Sequence, residues 1–93
     1  MSYDVAISNQ ALEDLADLPL PVANFVEQAI RRLAEDPTKL GRPCRFPYPL
    51  GQIYELEHDF EDYRYYLAIL FKYGQDERTL HIVGVGRNRY RLT

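Results

Sequence analysis

The sequence predicts an α+β fold in which an N-terminal strand and an α-helical hairpin precede an antiparallel β-meander, with the helices forming a single layer on the sheet. Three observations predict it. Val22, Phe25, Val26, Ala29, Ile30, Leu33 and Ala34 recur at helical spacing over three turns. Tyr63 to Tyr73 alternates apolar and polar faces over a whole long strand. Between them, Gly41 to Gly51 holds Pro43, Pro47 and Pro49, which break both periodicities.

The elements follow in order. Tyr3 to Ile7 alternates and contains the β-branched Val5 and Ile7, so it reads as the first strand. Ser8 or Asn9 caps a helix through Gln10 to Leu18, with Ala11, Leu12, Leu15 and Ala16 as its apolar stripe and Glu13, Asp14 and Asp17 facing solvent. Pro19 and Pro21 end it, and Pro21 also suits the first turn of the next helix, where its missing N–H costs nothing. That second helix stops at Asp36-Pro37, and the stretch from Gly41 to Gly51 is an ordered but irregular connector. Gln52 to Glu57 is a half-buried strand with Ile53, Glu55 and Glu57 on one face. On the long strand, Tyr63, Tyr65, Leu67, Ile69, Phe71 and Tyr73 form the core face, opposite Arg64, Tyr66, Ala68, Leu70 and Lys72. Gly74 to Arg78 turns the chain into a last strand, Thr79 to Val85.

A length of 93 residues and a hydrophobic content of 46% suit one domain spanning residues 1–93 and a core that needs no staple. The single Cys44 cannot form an internal disulfide, which favours a reducing compartment. No apolar run approaches the roughly 18 residues of a membrane span, and the start of the chain lacks the regions of a signal peptide. A cytoplasmic protein without membrane contact is expected. Two histidines and one cysteine stand without ligand spacing, so no metal or other cofactor is expected, and His81 reads as a half-buried structural residue.

The net charge of −3 argues against a surface built throughout for nucleic acid, but the distribution is uneven. Arg87, Arg89 and Arg91 follow one another with no acid among them. Lys39, Arg42 and Arg45 form a second basic cluster, and Glu55, Glu57, Asp59, Glu61 and Asp62 lie between the two. The last strand exits through Gly84-Val85-Gly86 into Arg87-Asn88-Arg89-Tyr90-Arg91, a combination suited to gripping a phosphate and stacking on a base. Tyr66 and Tyr90 are the tyrosines expected at the surface, whereas Tyr63, Tyr65 and Tyr73 share the core face.

Several segments together carry a family resemblance: Leu12-Glu13-Asp14-Leu15, Gly51-Gln52-Ile53-Tyr54-Glu55-Leu56, Tyr63-Arg64-Tyr65-Tyr66-Leu67 and Leu80-His81-Ile82-Val83-Gly84-Val85-Gly86-Arg87. In this order the chain resembles the RelE/ParE superfamily of bacterial toxins over nearly its whole length. The resemblance implies the toxin half of a type II toxin–antitoxin pair, acting either as a ribosome-dependent messenger-RNA endoribonuclease that inhibits translation or as a poison of DNA gyrase. A third possibility is a toxin-like fold that only pairs with an antitoxin.

In the ribonuclease reading the resemblance gives Arg64 the scissile phosphate. Arg87, with Arg89 as the alternative, stabilises the charged transition state, and Tyr90 stacks on a base or transfers a proton. Arg45, Tyr66 and Arg91 would hold substrate. Where the best-known ribonucleases carry lysines on the second meander strand, this chain has Glu55 and Glu57, and Glu55 is a candidate general base. The expected partners are ribosome and messenger RNA, or gyrase in the alternative, together with an acidic, partly disordered antitoxin on a sheet edge.

Overall fold

A computed structural model describes residues 2–44 and 51–93. The elements run β1 (Asp4–Ile7), α1 (Asn9–Ala16), α2 (Leu20–Glu35), α3 (Pro37–Leu40), β2 (Arg42–Cys44), β3 (Gly51–Phe60), β4 (Tyr63–Tyr73) and β5 (Thr79–Arg91). They build a mixed five-stranded sheet in the order β1-β5-β4-β3-β2. The meander β3-β4-β5 is antiparallel, whereas β1 joins β5 in parallel and pairs Asp4–Ile7 with Thr79–Ile82.

The helices form where the periodicity places them. Ser8 caps α1, its Oγ accepting from the Ala11 N–H at 3.1 Å. Pro19 opens α2. Both helices lie on one face of the sheet. Ala11 and Leu15 of α1 and Val22, Val26, Ala29, Ile30 and Leu33 of α2 enclose Tyr65, Leu67, Ile69 and Phe71 of β4 with Leu80, Ile82 and Val85 of β5. Phe71, Ile69, Leu80 and Ile82 have no accessible surface, so this contact is the centre of the core.

Several features depart from the sequence reading. A short helix, α3, follows Asp36, whose carboxylate accepts from the Lys39 N–H at 3.3 Å. The first part of the expected irregular connector is strand β2, paired with Gly51 to Ile53; three residues at a sheet edge tolerate Pro43 because among the described residues no further strand needs its N–H. The expected exit after Val85 is strand as well, because β4 supplies partners as far as Arg91. Tyr73 leaves the core face at the sheet's end: it is 38% exposed and rests against Tyr3 and Phe71.

One irregularity interrupts β5. The pairing steps from Phe71–Ile82 to Leu70–Gly84, so Val83 is an extra residue, a β-bulge. Residues of α1 satisfy backbone groups around it. The Ser8 hydroxyl donates to the Val83 carbonyl at 3.1 Å, and the Val85 N–H donates to Asp14 Oδ2 at 2.9 Å. Asp14, expected at the solvent side of α1, is therefore a tie between helix and sheet.

Candidate functional site

Alternation along β4 sorts the residues of interest. Tyr63, Tyr65, Leu67, Ile69 and Phe71 face the helices, so Arg64, Tyr66, Ala68 and Leu70 take the other face. Their neighbours across β3 are Asp59, Glu57, Glu55 and Ile53, and across β5 they are Tyr90, Asn88, Gly86 and Gly84. The middle of this helix-free face is low because Ala68 and Gly86 have little or no side chain. A trough results, lined by Glu55, Glu57, Tyr66, Ala68, Gly86 and Asn88.

Arg64 stands at one end of that trough. Its Nε and Nη2 donate to Asp59 Oδ1 and Oδ2 at 2.7 and 3.1 Å, a two-pronged pair across the β3–β4 hairpin. The hydrogen bond from Arg64 holds the Asp59 carboxyl below its usual range, and Asp59 in turn strengthens the guanidinium's hold on its proton. Arg42 of β2 pairs with Glu55 on the same face. Tyr90 lies directly across from Arg64, its ring edge-on to Tyr66 at 5.4 Å between centroids. The Asn88 amide donates to the Tyr90 hydroxyl at 3.2 Å.

The other face is built differently. Arg87, Arg89 and Arg91 are the β5 partners of Leu67, Tyr65 and Tyr63, so they lie on the helix side, beyond the end of the helical layer. The Arg87 guanidinium donates to the main-chain carbonyl of Asp17, just past α1, where a cation also suits the helix dipole. Arg89 sits 4.3 Å above the centre of the Tyr63 ring, with Arg91 at 5.9 Å. A hydrogen bond with Tyr65 raises the pKa of Arg89. Arg87 and Arg89 join Asp17, Leu18, Pro19 and Tyr65 around a cleft.

No family model matches this chain, and no curated protein matches it by sequence. Solved structures do. A chain of the toxin–antitoxin complex RelBE2 from Mycobacterium tuberculosis superposes with a TM-score of 0.70 at 24% identity, over 95% of this chain and 100% of that one. The chain has a RelE-like fold. Two further structures agree. A free-state mutant of the E. coli toxin RelE, with two arginines replaced by alanine, gives a TM-score of 0.62 at 16% identity over 92% of this chain and 83% of that one. A chain of the intact E. coli RelBE toxin–antitoxin complex gives 0.61 at 15% identity, over 91% and 95%.

On this RelE-like frame the expected site residues divide. Arg64, Tyr66, Tyr90 and Glu55 share the helix-free face, whereas Arg87, Arg89 and Arg91 occupy the other. Arg45 lies outside the described residues. His81 is half-buried opposite Lys72, away from both groups. Among the described residues no cluster of three potential metal ligands occurs, and no helix is long and apolar enough to cross a membrane. Three partners escaped the sequence reading: Asp59 on Arg64, Arg42 on Glu55, and Asn88 on Tyr90. The first was open to a register count, since a two-residue turn at Glu61-Asp62 sets residue 59 opposite residue 64.

Proposed function

We propose that this chain is the toxin of a type II toxin–antitoxin module and acts in the cytoplasm by cleaving messenger RNA on the ribosome, with the helix-free face as its site. The observation that carries this reading is the placement of Arg64 directly opposite Tyr90, with Tyr66 packed edge-on against it beside an open trough. A guanidinium next to two aromatic rings suits a phosphate flanked by an unstacked base.

RNA cleavage of this kind needs the ribose 2′-hydroxyl deprotonated, the phosphorane charge balanced and the leaving 5′-oxygen protonated. Arg42 occupies Glu55, so Glu57, across from Tyr66, is the better placed carboxylate to take the 2′-hydroxyl proton. The resulting alkoxide attacks the adjacent phosphorus as the bond to the 5′-oxygen breaks, leaving a cyclic phosphate. Arg64 balances the added charge. Tyr90, whose oxygen already accepts from Asn88, has its own proton to give to the leaving oxygen. The exposed Asp59–Arg64 pair is in competition with water, so an incoming phosphate can displace the carboxylate.

A second reading has an observation of its own. Asp59 grips Arg64 with both oxygens, and Glu55 and Glu57 share that face, an arrangement that repels a polyanion. It favours arrest by binding gyrase, or an inactive toxin-like chain that only pairs with an antitoxin. Inducible expression in a bacterial host, wild type beside Arg64→Ala and Glu57→Gln, separates the readings. Growth arrest with messenger-RNA cleavage that both variants lose supports the ribonuclease. Arrest with intact RNA and broken DNA supports gyrase, and no arrest supports the inactive partner.

A further inference from the structure

We infer that the outer edge of β1 is a self-association surface, on which a second copy of this chain pairs its own β1 antiparallel about a two-fold axis at Ala6. The inference draws on nothing in the function proposed above.

β1 ends the sheet, and among the described residues no strand lies beyond it. Three hydrogen bonds sort its backbone groups. The N–H groups of Asp4 and Ser8 donate towards β5, to the carbonyls of Arg78 and Ile82 at 2.8 and 2.9 Å, whereas the Tyr3 N–H donates to Ala34 of α2 at 2.8 Å. Main-chain groups alternate along a strand, so Ala6 also faces β5, and the N–H and C=O of Val5 and Ile7 face outwards. Both residues expose their side chains as well, at 38% and 37%. As the partners of Leu80 and Ile82 they share the helix side of the sheet, where a groove separates them from Glu27, Ile30 and Arg31 of α2. β1 carries neither the proline nor the lysine nor the bulge that commonly guards an open edge.

Symmetry selects the occupant. An antiparallel copy with Ala6 opposite Ala6 sets Val5 of each chain opposite Ile7 of the other, and in both pairs the outward N–H and C=O groups meet. The same pairs bring aliphatic side chains together on the helix side, while the small Ala6 side chains meet where the strands approach most closely. No like charges are opposed, since Asp4 meets Ser8. Helix α2 extends the match. Its Ala34 end lies at Tyr3 and its Phe25 stacks on His58, further along the sheet in the direction in which β1 runs, so α2 is antiparallel to β1. Glu27 therefore lies towards Ile7 and Arg31 towards Val5. The axis that brings Ile7 of one chain to Val5 of the other also brings Glu27 of one towards Arg31 of the other, and an isologous contact uses such a pair twice. The two sheets become one, with both troughs on its single helix-free face.

The test is sedimentation of the full chain from about 10 μM to about 1 mM, with amide hydrogen exchange followed at both ends of the series. The expected result is a reversible dimer whose formation slows exchange at Val5 and Ile7 about tenfold and leaves the Arg87 to Arg91 amides unchanged. Glu27→Arg and Arg31→Glu, both at exposed positions of α2, each oppose like charges twice and should weaken the dimer about tenfold. An equimolar mixture of the two variants should recover it, because each offers the charge the other lacks. A chain that stays monomeric, or a dimer that protects other amides, would overturn the inference. So would a dimer indifferent to both variants and to their mixture. Protection of Val5 and Ile7 that arrives only with a co-expressed antitoxin would assign the edge to that partner instead. Growth arrest is read separately: a monomeric chain that arrests growth would sink this inference and keep the toxin reading, and a dimer that arrests nothing would do the reverse.

Discussion

The two halves of β5 are one continuous strand with opposite physical roles. From Thr79 to Val85 it lies against β4, with β1 on its other side as far as Ile82, is roofed by the helices, and buries Leu80, Ile82 and Val85. From Gly86 to Arg91 it keeps β4 on one side, and every side chain is exposed. Stability is concentrated where neighbours surround the strand, whereas recognition has room where only one neighbour remains.

The largest expected effect lies in the enclosed half. Ile82→Ala, or Phe71→Ala on its β4 partner, should cost about 3–5 kcal/mol in urea unfolding, because each side chain is fully buried. The next falls at the junction. Asp14→Ala leaves the Val85 N–H without its carboxylate and should cost about 1–3 kcal/mol, with faster hydrogen exchange at Val85. In the open half, Arg91→Ala should change stability by no more than about 0.5 kcal/mol. A loss there comparable with Ile82→Ala would break the division.

The smallest effect concerns the helix-free face. Asp59 titrates below the ordinary 3.8 because Arg64 binds its ionised form. A carboxyl depressed in the folded state contributes stability above its unfolded pKa and loses it as pH falls through the lower, folded value. The contribution is therefore complete above pH 3.8 and disappears below it. A carboxyl-carbon titration should give Asp59 a midpoint under 3.8 that rises in Arg64→Ala and stays in place in Arg91→Ala.

The same contrast explains what was legible in the sequence. Elements that bury one face announce themselves: the stripe from Val22 to Ala34 and the alternation from Tyr63 to Phe71 are the core itself. The open half of β5 buries nothing, so no apolar rhythm marks it, and Arg87 to Arg91 reads as a tail. At the site, Arg64, Tyr66 and Tyr90 were found as residue types, and alternation put the first two on the outer face. Which face the arginines of β5 take depends on pairing register, which residue type does not encode. The adjacent apolar pair Ile82-Val83 was the one visible sign of a broken alternation.

That break has a consequence for how such a chain can change. In a strand the face taken by each side chain is a matter of parity, and the extra Val83 shifts the parity of everything downstream. Were the bulge drawn out so that Val83 paired with Leu70 while Phe71 kept Ile82, Arg87 would stand opposite Tyr66 and Arg89 opposite Arg64, and Tyr90 would turn to the helix side. A slip of one residue in register would thus carry a whole row of positive charge through the sheet, from the helix side to the trough, without altering one residue of that row.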